Sequence, residues 1–550
     1  IEVPDAVARS IAVRVAWISG RARDTKISNL KTVTASATSG KAGGFAGFAK
    51  AGDALSAGDS TTSKLTGIEL ENLLGVVSAL RPEFNNTSIA YVSNGSDPQV
   101  SADMAGGFVG DGQAVDINYG NNNSGFKADT DTNSEDGTTE GEAGAIATTN
   151  ITGLSYIKGI SYAGGFAGRL MPGDVAQTGS IKLLGLLNVN QLLSVMDVAY
   201  PRISDSSIEG NNLVVTASGK NDDVALGDAG GYIGNGKAVM VKNSDVTNVK
   251  EVKAPYHAGG YIGIMRSGSA AEAGDATGDL LNSVLGKILS LKELASVLQA
   301  ASSKITNCKV AGTADGLTVT ADSGFENAEG YAGGFVGEMQ SGHVDNSANA
   351  VDSGKGTAVE NLLKVEGLRY AGGFGGLVKA GAVAEIGAKS SILTKLVDLT
   401  GLLSLVNAFV PVISNASVNS VEKGFTVTVT GTLEKDSTND ADAGSAGGFI
   451  GCGTGVQISN SDVNKLQHTG VSEPKNLQQE DGSSYYGNDS AYAVNGYRYA
   501  SGYIGKAAMG STAAIGGASV LDHVLSTTGL LSALTVVASI IDSSDVYGAT

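Results

Sequence analysis

Short runs of this chain alternate apolar and polar residues with a period of two. ISDSSIEGNNLVVTAS from Ile203, ITNCKVAGTADGLTVTADS from Ile305 and ISNASVNSVEKGFTVTVTG from Ile413 are rich in β-branched residues and broken by Asn, Asp, Ser and Gly. That pattern predicts short strands joined by tight bends. ISNLKTVTAS from Ile27 reads as the same unit. Asn307, Asn415 and Asn460 fall at a recurring bend. Asn tolerates the left-handed conformation, and its amides can stack as a ladder. A second pattern has helical spacing. LLNSVLGKILSLKELASVLQ places Leu281, Val284, Leu285, Ile288, Leu294 and Leu298 on one face. Its counterparts predict Leu-rich α-helical insertions over about 65–81, 181–199, 280–300, 391–409 and 521–538.

Between these patterns an Ala-Gly-Gly-aromatic motif recurs nine times, its aromatic being Phe45, Phe108, Phe166, Tyr232, Tyr261, Phe335, Phe374, Phe449 and, in the variant YASGYIG, Tyr503. Two classes alternate strictly. After Phe45, Phe166, Tyr261, Phe374 and Tyr503 come small residues and then a Leu-rich segment; after the other four comes a polar-alternating run such as GVQISNSDVNKL from Gly455. First-class alanines at Ala42, Ala163, Ala258, Ala371 and Ala500 are 121, 95, 113 and 129 residues apart. The chain therefore divides into modules at approximately 42–162, 163–257, 258–370 and 371–499, with partial modules at 1–41 and 500–550. Such repetition means one continuous solenoid, in which each unit buries its apolar face on its neighbours. The expected fold is mainly β, a right-handed parallel β-helix with one helical insertion per module. The Gly pair then permits close approach to the coil above, and the aromatic fills a narrow core.

Composition agrees. Gly is 78 of 550 residues, Pro only 8, and apolar residues make up 42%, so the chain folds but is built for turns and short strands. The net charge of −18 argues against nucleic acid, whose affinity rests on Lys and Arg neutralising phosphates. Cys308 and Cys452 allow either one long-range disulfide or two isolated buried thiols. Val524 to Ile541 lacks Lys, Arg, Asp and Glu over 18 residues, yet its counterparts carry Lys182, Lys287, Glu293, Lys395 or Glu71. A buried or partner-covered helix is expected there rather than a membrane span. Both ends read as cut from a longer polypeptide.

GGFVGEMQSGHVDNSANA resembles the GLUG repeat, a short glycine-rich motif of large bacterial surface proteins that include IgA-cleaving metalloproteases and adhesin-like proteins. The likeness is carried by Gly333, Gly334, Phe335, Val336, Gly337, Gly342, Val344, Asn346 and Ser347, and again by Gly447, Gly448, Phe449, Ile450, Gly451, Gly455, Ile458, Asn460 and Ser461. First-class motifs share only the opening, and their Leu-rich insertions depart from the pattern. The resemblance covers the scaffold of about half the chain. It implies an extracellular or cell-surface location and β-solenoid character, and it carries no active site.

No catalytic, cofactor-binding or metal-binding set stands out. The histidines are His257, His343, His468 and His523, without HExxH or Cys/His zinc spacing. His257 stands where other motifs have Tyr, Lys or Ser and reads as a packing variant. The loop DTDTNSEDGTTEGE from Asp129 reads as a solvated loop before a weak calcium site. Asp222 and Asp223, with Asp228 nearby, are the one candidate carboxylate pair. Lys50, Arg169, Arg266, Lys379 and Lys506 follow first-class motifs and suggest a charged row along the solenoid, either a solvated edge or a surface for anionic glycans. The expected function is a non-enzymatic structural or adhesive segment of a surface or fibre-forming protein. Its expected partners are further copies or neighbouring modules and surface glycans or proteins. The alternative is a polysaccharide lyase or hydrolase on a β-helix.

Overall fold

A computed structural model of the protein describes residues 20–51, 81–93, 95–119, 149–173, 198–221, 225–268, 302–322, 329–349, 355–381, 410–431, 444–467, 477–478, 484–485, 493–510 and 538–548. These form a solenoid of parallel strands in four stacked sheets, of 10, 15, 9 and 9 strands. Each coil crosses the four faces in turn. Coil five shows the plan: Met240–Lys242 on the first face, Val246–Ala254 on the second, His257–Gly259 on the third and Ile262–Arg266 on the fourth. Nine coils are complete, at 21–50, 83–113, 116–171, 202–237, 240–266, 304–340, 343–379, 412–454 and 457–508, and a tenth adds Ile540–Asp542 and Val546–Gly548. Two short antiparallel pairs, Lys220–Asn221 with Ala225–Leu226 and Leu477–Gln478 with Ser484–Tyr485, lie outside this plan.

Every Ala-Gly-Gly motif forms the third-face strand and the corner after it, in unbroken register from Ala42 through Ala105 and Ala163 to Ala500. Through the first eight coils glycine is required there because the coils touch through backbone, and in the ninth coil Ser501 takes the first glycine's place. A Cβ on Gly334 would lie 2.0 Å from the Gly373 carbonyl oxygen, and one on Gly333 would lie 2.0 Å from that of Val336. The close approach brings the aromatics into one column of nine rings. Adjacent centroids are 4.8–5.1 Å apart and planes differ by 2–19°. At about 0.5–1.5 kcal/mol per stacked pair beyond burial, the column contributes about 4–12 kcal/mol. Beside it run apolar ladders such as Ile117, Ile203, Val241, Ile305, Val344, Ile413 and Ile458 on the first face.

The corner between the first and second faces is polar, its Asn and Asp residues half-buried and the serines Ser206, Ser244 and Ser461 buried. Asn307, Asn415 and Asn460 take φ of 54°, 52° and 48°, as do Asp205 and Asn243 at 51° and 49°. The side-chain ladder there is mixed. Asn307 donates to Asn243 at 3.3 Å, but Asn243 donates to Asp205 at 3.0 Å and Asn415 to Asp345 at 3.1 Å. The next residue is commonly serine. The Ser244 and Ser461 hydroxyls donate to the carbonyl two residues back, both at 2.8 Å. They also accept the amides of Ser206 and Ala416 from the preceding coil, at 3.1 and 3.0 Å. Tyr232, Tyr261 and Tyr503 reach the same corner from the aromatic column and donate to the Ser206, Ser244 and Ser461 carbonyls.

The return from fourth to first face explains the two motif classes. Even coils turn at once, through Ala114, Ala238, Ser341 and Gly455 at φ of 51°, 50°, 59° and 59°. Odd coils carry a long insertion at the same corner. The expected Leu-rich helices are not seen. The stretches 65–81, 181–199, 280–300, 391–409 and 521–538 lie outside the described residues but for their margins, of which Val198 and Ala199 are helical, and a short 3-10 turn spans Ser347–Asn349. Among the described residues no helix is long and apolar enough to cross a membrane. Ile540 and Ile541, where the apolar run from Val524 ends, belong to a first-face strand paired with Gln457–Ser459.

One strand differs from its expected place. Ile27 lies on the second face, paired with Ile89, and Ala22 fills the position matching Ile203. The similarity of ISNLKTVTAS to the later units is local, because alternating strands on adjacent faces share one periodicity.

Two substitutions test the stacking. Phe335→Ala should cost about 3–5 kcal/mol, as for other buried aromatics. Gly334→Ala should strip hydrogen-exchange protection from the third-face strands of coils six and seven together, since its Cβ meets a carbonyl of the next coil. Unchanged protection at Tyr370–Gly372 in Gly334→Ala would contradict the close approach.

Candidate functional site

The residue before each Ala-Gly-Gly and the residue seven further on meet outside the core, where the third and fourth faces fold together. In coil five these are His257 and Ile264; in coil six, Tyr331 and Glu338. Most such positions are covered, and towards the later coils the line turns apolar, with Tyr331, Tyr370, Leu377 and Cys452 packed together. Cys452 and Cys308 are both buried, and no disulfide joins them.

Charge concentrates at two places along this line. In the first three coils the Asp111 carboxylate, with 0% side-chain exposure, lies 2.5 Å from Lys41 Nζ and accepts two bonds from Arg169, at 2.9 and 2.8 Å. Asp103 accepts from Ser161 Oγ at 2.7 Å and pairs with Lys220 of coil four at 2.6 Å. In coils four to seven the centre is His257. Its Nδ1 is 2.7 Å from Asp228 Oδ1, and Asn235 Nδ2 donates to Asp228 Oδ2 at 2.7 Å. Its Nε2 stands 2.9 Å from Glu329 Oε2 and 3.0 Å from Glu338 Oε2. Despite those distances, Nε2 has hydrogen-bond geometry to neither carboxylate. Lys379 Nζ holds the other Glu338 oxygen at 2.8 Å, and Arg266 approaches Glu338 at 3.5 Å.

Burial sets the electrostatics. Desolvation alone would lower the His257 pKa, but the charge and hydrogen bond of Asp228, reinforced by Glu329 and Glu338, raise it well above the usual value. Glu329 is held low chiefly by His257. Burial pushes the Glu338 carboxyl upward, yet His257, Lys379 and Arg266 together hold it well below the carboxylate range. Without another cation, a protonated imidazole balances the three carboxylates alongside Lys379 and Arg266. Among the described residues, His257, Glu329 and Glu338 are the one group of three side chains whose donor atoms converge as metal ligands would.

The basic residues singled out from the sequence do not form one row. Arg169 and Lys506 occupy the middle of their fourth-face strands, whereas Lys50, Arg266 and Lys379 stand at strand ends. Arg169, Arg266 and Lys379 are engaged with carboxylates. Asp222, Asp223, His468, His523 and the acidic loop from Asp129 lie outside the described residues. Asp228, noted beside the Asp pair, belongs to the His257 cluster instead. His257 packs edge-on to Tyr331 at 5.4 Å, but its three carboxylates exceed what a packing variant needs. Glu329 and Glu338 follow it by 72 and 81 residues, so no short motif joins them. No family model, curated protein or solved structure matches the chain.

His343 is the electrostatic opposite. Burial, then the neighbouring Lys304 charge, lower its pKa to about 4, and its Nε2 has no hydrogen-bond partner. The unfolded chain takes up this proton as pH falls through 6.5, whereas the folded chain resists until about 4. Stability is therefore lost between those values on acidification. His343→Gln should flatten the fall in Tm between pH 6.5 and 4 relative to the parent. Parallel Tm–pH curves for the two proteins would refute this burial effect.

Proposed function

We propose that the chain is a non-enzymatic structural or adhesive segment of a large extracellular bacterial surface or fibre-forming protein of the GLUG-repeat kind. The observation that carries this reading is the uninterrupted register of nine coils, in which the same backbone corner and aromatic position recur without a break. Such a repeat is a rigid support rather than a device for one reaction. The extracellular placement rests on the motif Gly333 to Ser347 and its counterpart Gly447 to Ser461. Coils spaced by about 4.8 Å give ten layers an axial length of about 43 Å. Reach on a surface therefore requires lateral or end-to-end addition of further units. The partners proposed are other copies, neighbouring modules of the same polypeptide, and surface glycans or proteins held by many weak contacts.

A carbohydrate-active β-helix enzyme is the second reading. It is favoured by one observation: the His257 cluster is confined to coils four to seven instead of recurring in each coil. Its carboxylates argue against it. A glycosidase needs a carboxylic acid that can give up a proton, and Glu338 is 2% exposed and held ionised by three cations.

Light scattering across a concentration series, binding to arrayed surface glycans, and product release from a polysaccharide panel separate the readings. The scaffold reading expects mass that grows with concentration or glycan binding, with no turnover. Turnover abolished by Glu329→Gln, or a monomer that binds no glycan or surface protein, would overturn it.

A further inference from the structure

We propose that His257, Glu329 and Glu338 form a binding site for a first-row divalent transition cation such as Zn2+, clamping coils five and six. Three donors of the right type converge: one imidazole nitrogen and two carboxylate oxygens. The independent sign of a ligand is His257 Nε2. The side chain is 6% exposed, and this atom is paired by charge with two carboxylate oxygens at 2.9 and 3.0 Å without hydrogen-bond alignment to either. With Nδ1 committed to Asp228, His257 Nε2 faces two anions, an arrangement that needs either a proton or a metal ion between them. Two donors each about 2.1 Å from a tetrahedral ion stand about 3.4 Å apart, so Zn2+ enters once His257 Nε2 and each carboxylate oxygen part by about 0.4 Å. The observed Nε2 separations are 2.9 and 3.0 Å.

The surrounding groups match those of a built metal site. A ligating histidine ordinarily gives its other N–H to a carboxylate, which fixes the ring and raises its basicity. Asp228 takes that place at 2.7 Å and is itself held by Asn235. Lys379 orients Glu338 through the oxygen that does not face His257. Glu329, with a side chain 45% exposed, leaves the cluster open to solvent on one side, so an ion can enter without unfolding the coils. The ligands come from successive coils: His257 from the third-face strand of coil five, Glu329 just ahead of the third-face strand of coil six, and Glu338 from the fourth-face strand of coil six.

The test uses the full chain freed of metal by a chelator and dialysed. Zn2+ is titrated by calorimetry, and Co2+ serves as a visible-absorption probe of nitrogen and oxygen ligation. One ion per chain should bind, and Zn2+ should raise Tm. Glu329→Gln removes a half-exposed ligand, which spares the core, and should weaken Zn2+ at least tenfold and abolish the Tm rise. Asp228→Asn should weaken binding by about 10–100-fold, the usual effect of losing the carboxylate behind a ligating histidine. Absence of stoichiometric binding would show that a proton alone fills the gap and would overturn the proposal. Zn2+ binding undiminished in Glu329→Gln and Asp228→Asn would place the ion elsewhere and overturn it equally.

Discussion

The structure depends on backbone meeting backbone at the third-face corner. Each Gly pair puts its α-carbons so near the next coil that a methyl group would overlap a carbonyl oxygen, with gaps of 1.9–2.1 Å at Gly165, Gly260, Gly334 and Gly373. Parallel strands must lie about 4.8 Å apart to hydrogen-bond, and aromatic rings stack comfortably at nearly the same distance. The corner satisfies both spacings only if nothing projects from the two glycines. Removing side chains there also draws the third and fourth faces together on the outer side. That is why residues seven apart in sequence, such as Asp228 and Asn235, make side-chain contact.

Much of this was legible in the sequence. The recurring Ala-Gly-Gly-aromatic motif announced the stacking, the β-branched alternation announced the strands, and Asn at a recurring bend announced the left-handed corner that Asn307, Asn415 and Asn460 adopt. Alternation of the two motif classes marks the corner where odd coils carry their insertion. Ile27 was misplaced because a period of two identifies a strand without saying which of four faces it occupies. The His257 cluster was harder to see for a physical reason. Its members are neighbours across coils, and coils differ in loop length, so their sequence separations have no fixed value. A signal did exist. Aligning the residue before each motif with the residue seven after it sets Asp228, His257 and Glu338 in adjacent rows, next to the apolar row of Tyr370 and Leu377.

Near-identical coils carry an inherent ambiguity. If every coil offers the same apolar face, hydrophobic burial does not distinguish a coil's proper neighbour from the one beyond it, and register is then weakly specified. In-register stacking also sets equivalent residues one above another, so a repeated charge would meet its own kind, which is unfavourable at strand spacing. The groove between the third and fourth faces avoids both problems. Asp111 of coil two sits between Lys41 of coil one and Arg169 of coil three. Glu338 of coil six sits between His257 of coil five and Lys379 of coil seven. Asp111 and Glu338 thus each have cations on both neighbouring coils.

Leaving such a carboxylate without its partners costs about 3–5 kcal/mol, comparable to losing a large core side chain. Pairing coil six against a coil that lacks these cations would therefore be penalised even though its Gly pair and aromatic still fit. Replacing the buried pairs by apolar residues of similar size would leave stability much the same, but would remove what tells one coil from the next. The apolar stretch at Tyr331, Tyr370, Leu377 and Cys452 shows that the groove packs without charge. The ionic clusters are thus better understood as setting the order of the coils than as holding the solenoid together. The aromatic column and the glycine corner do the holding, and do it alike in every coil.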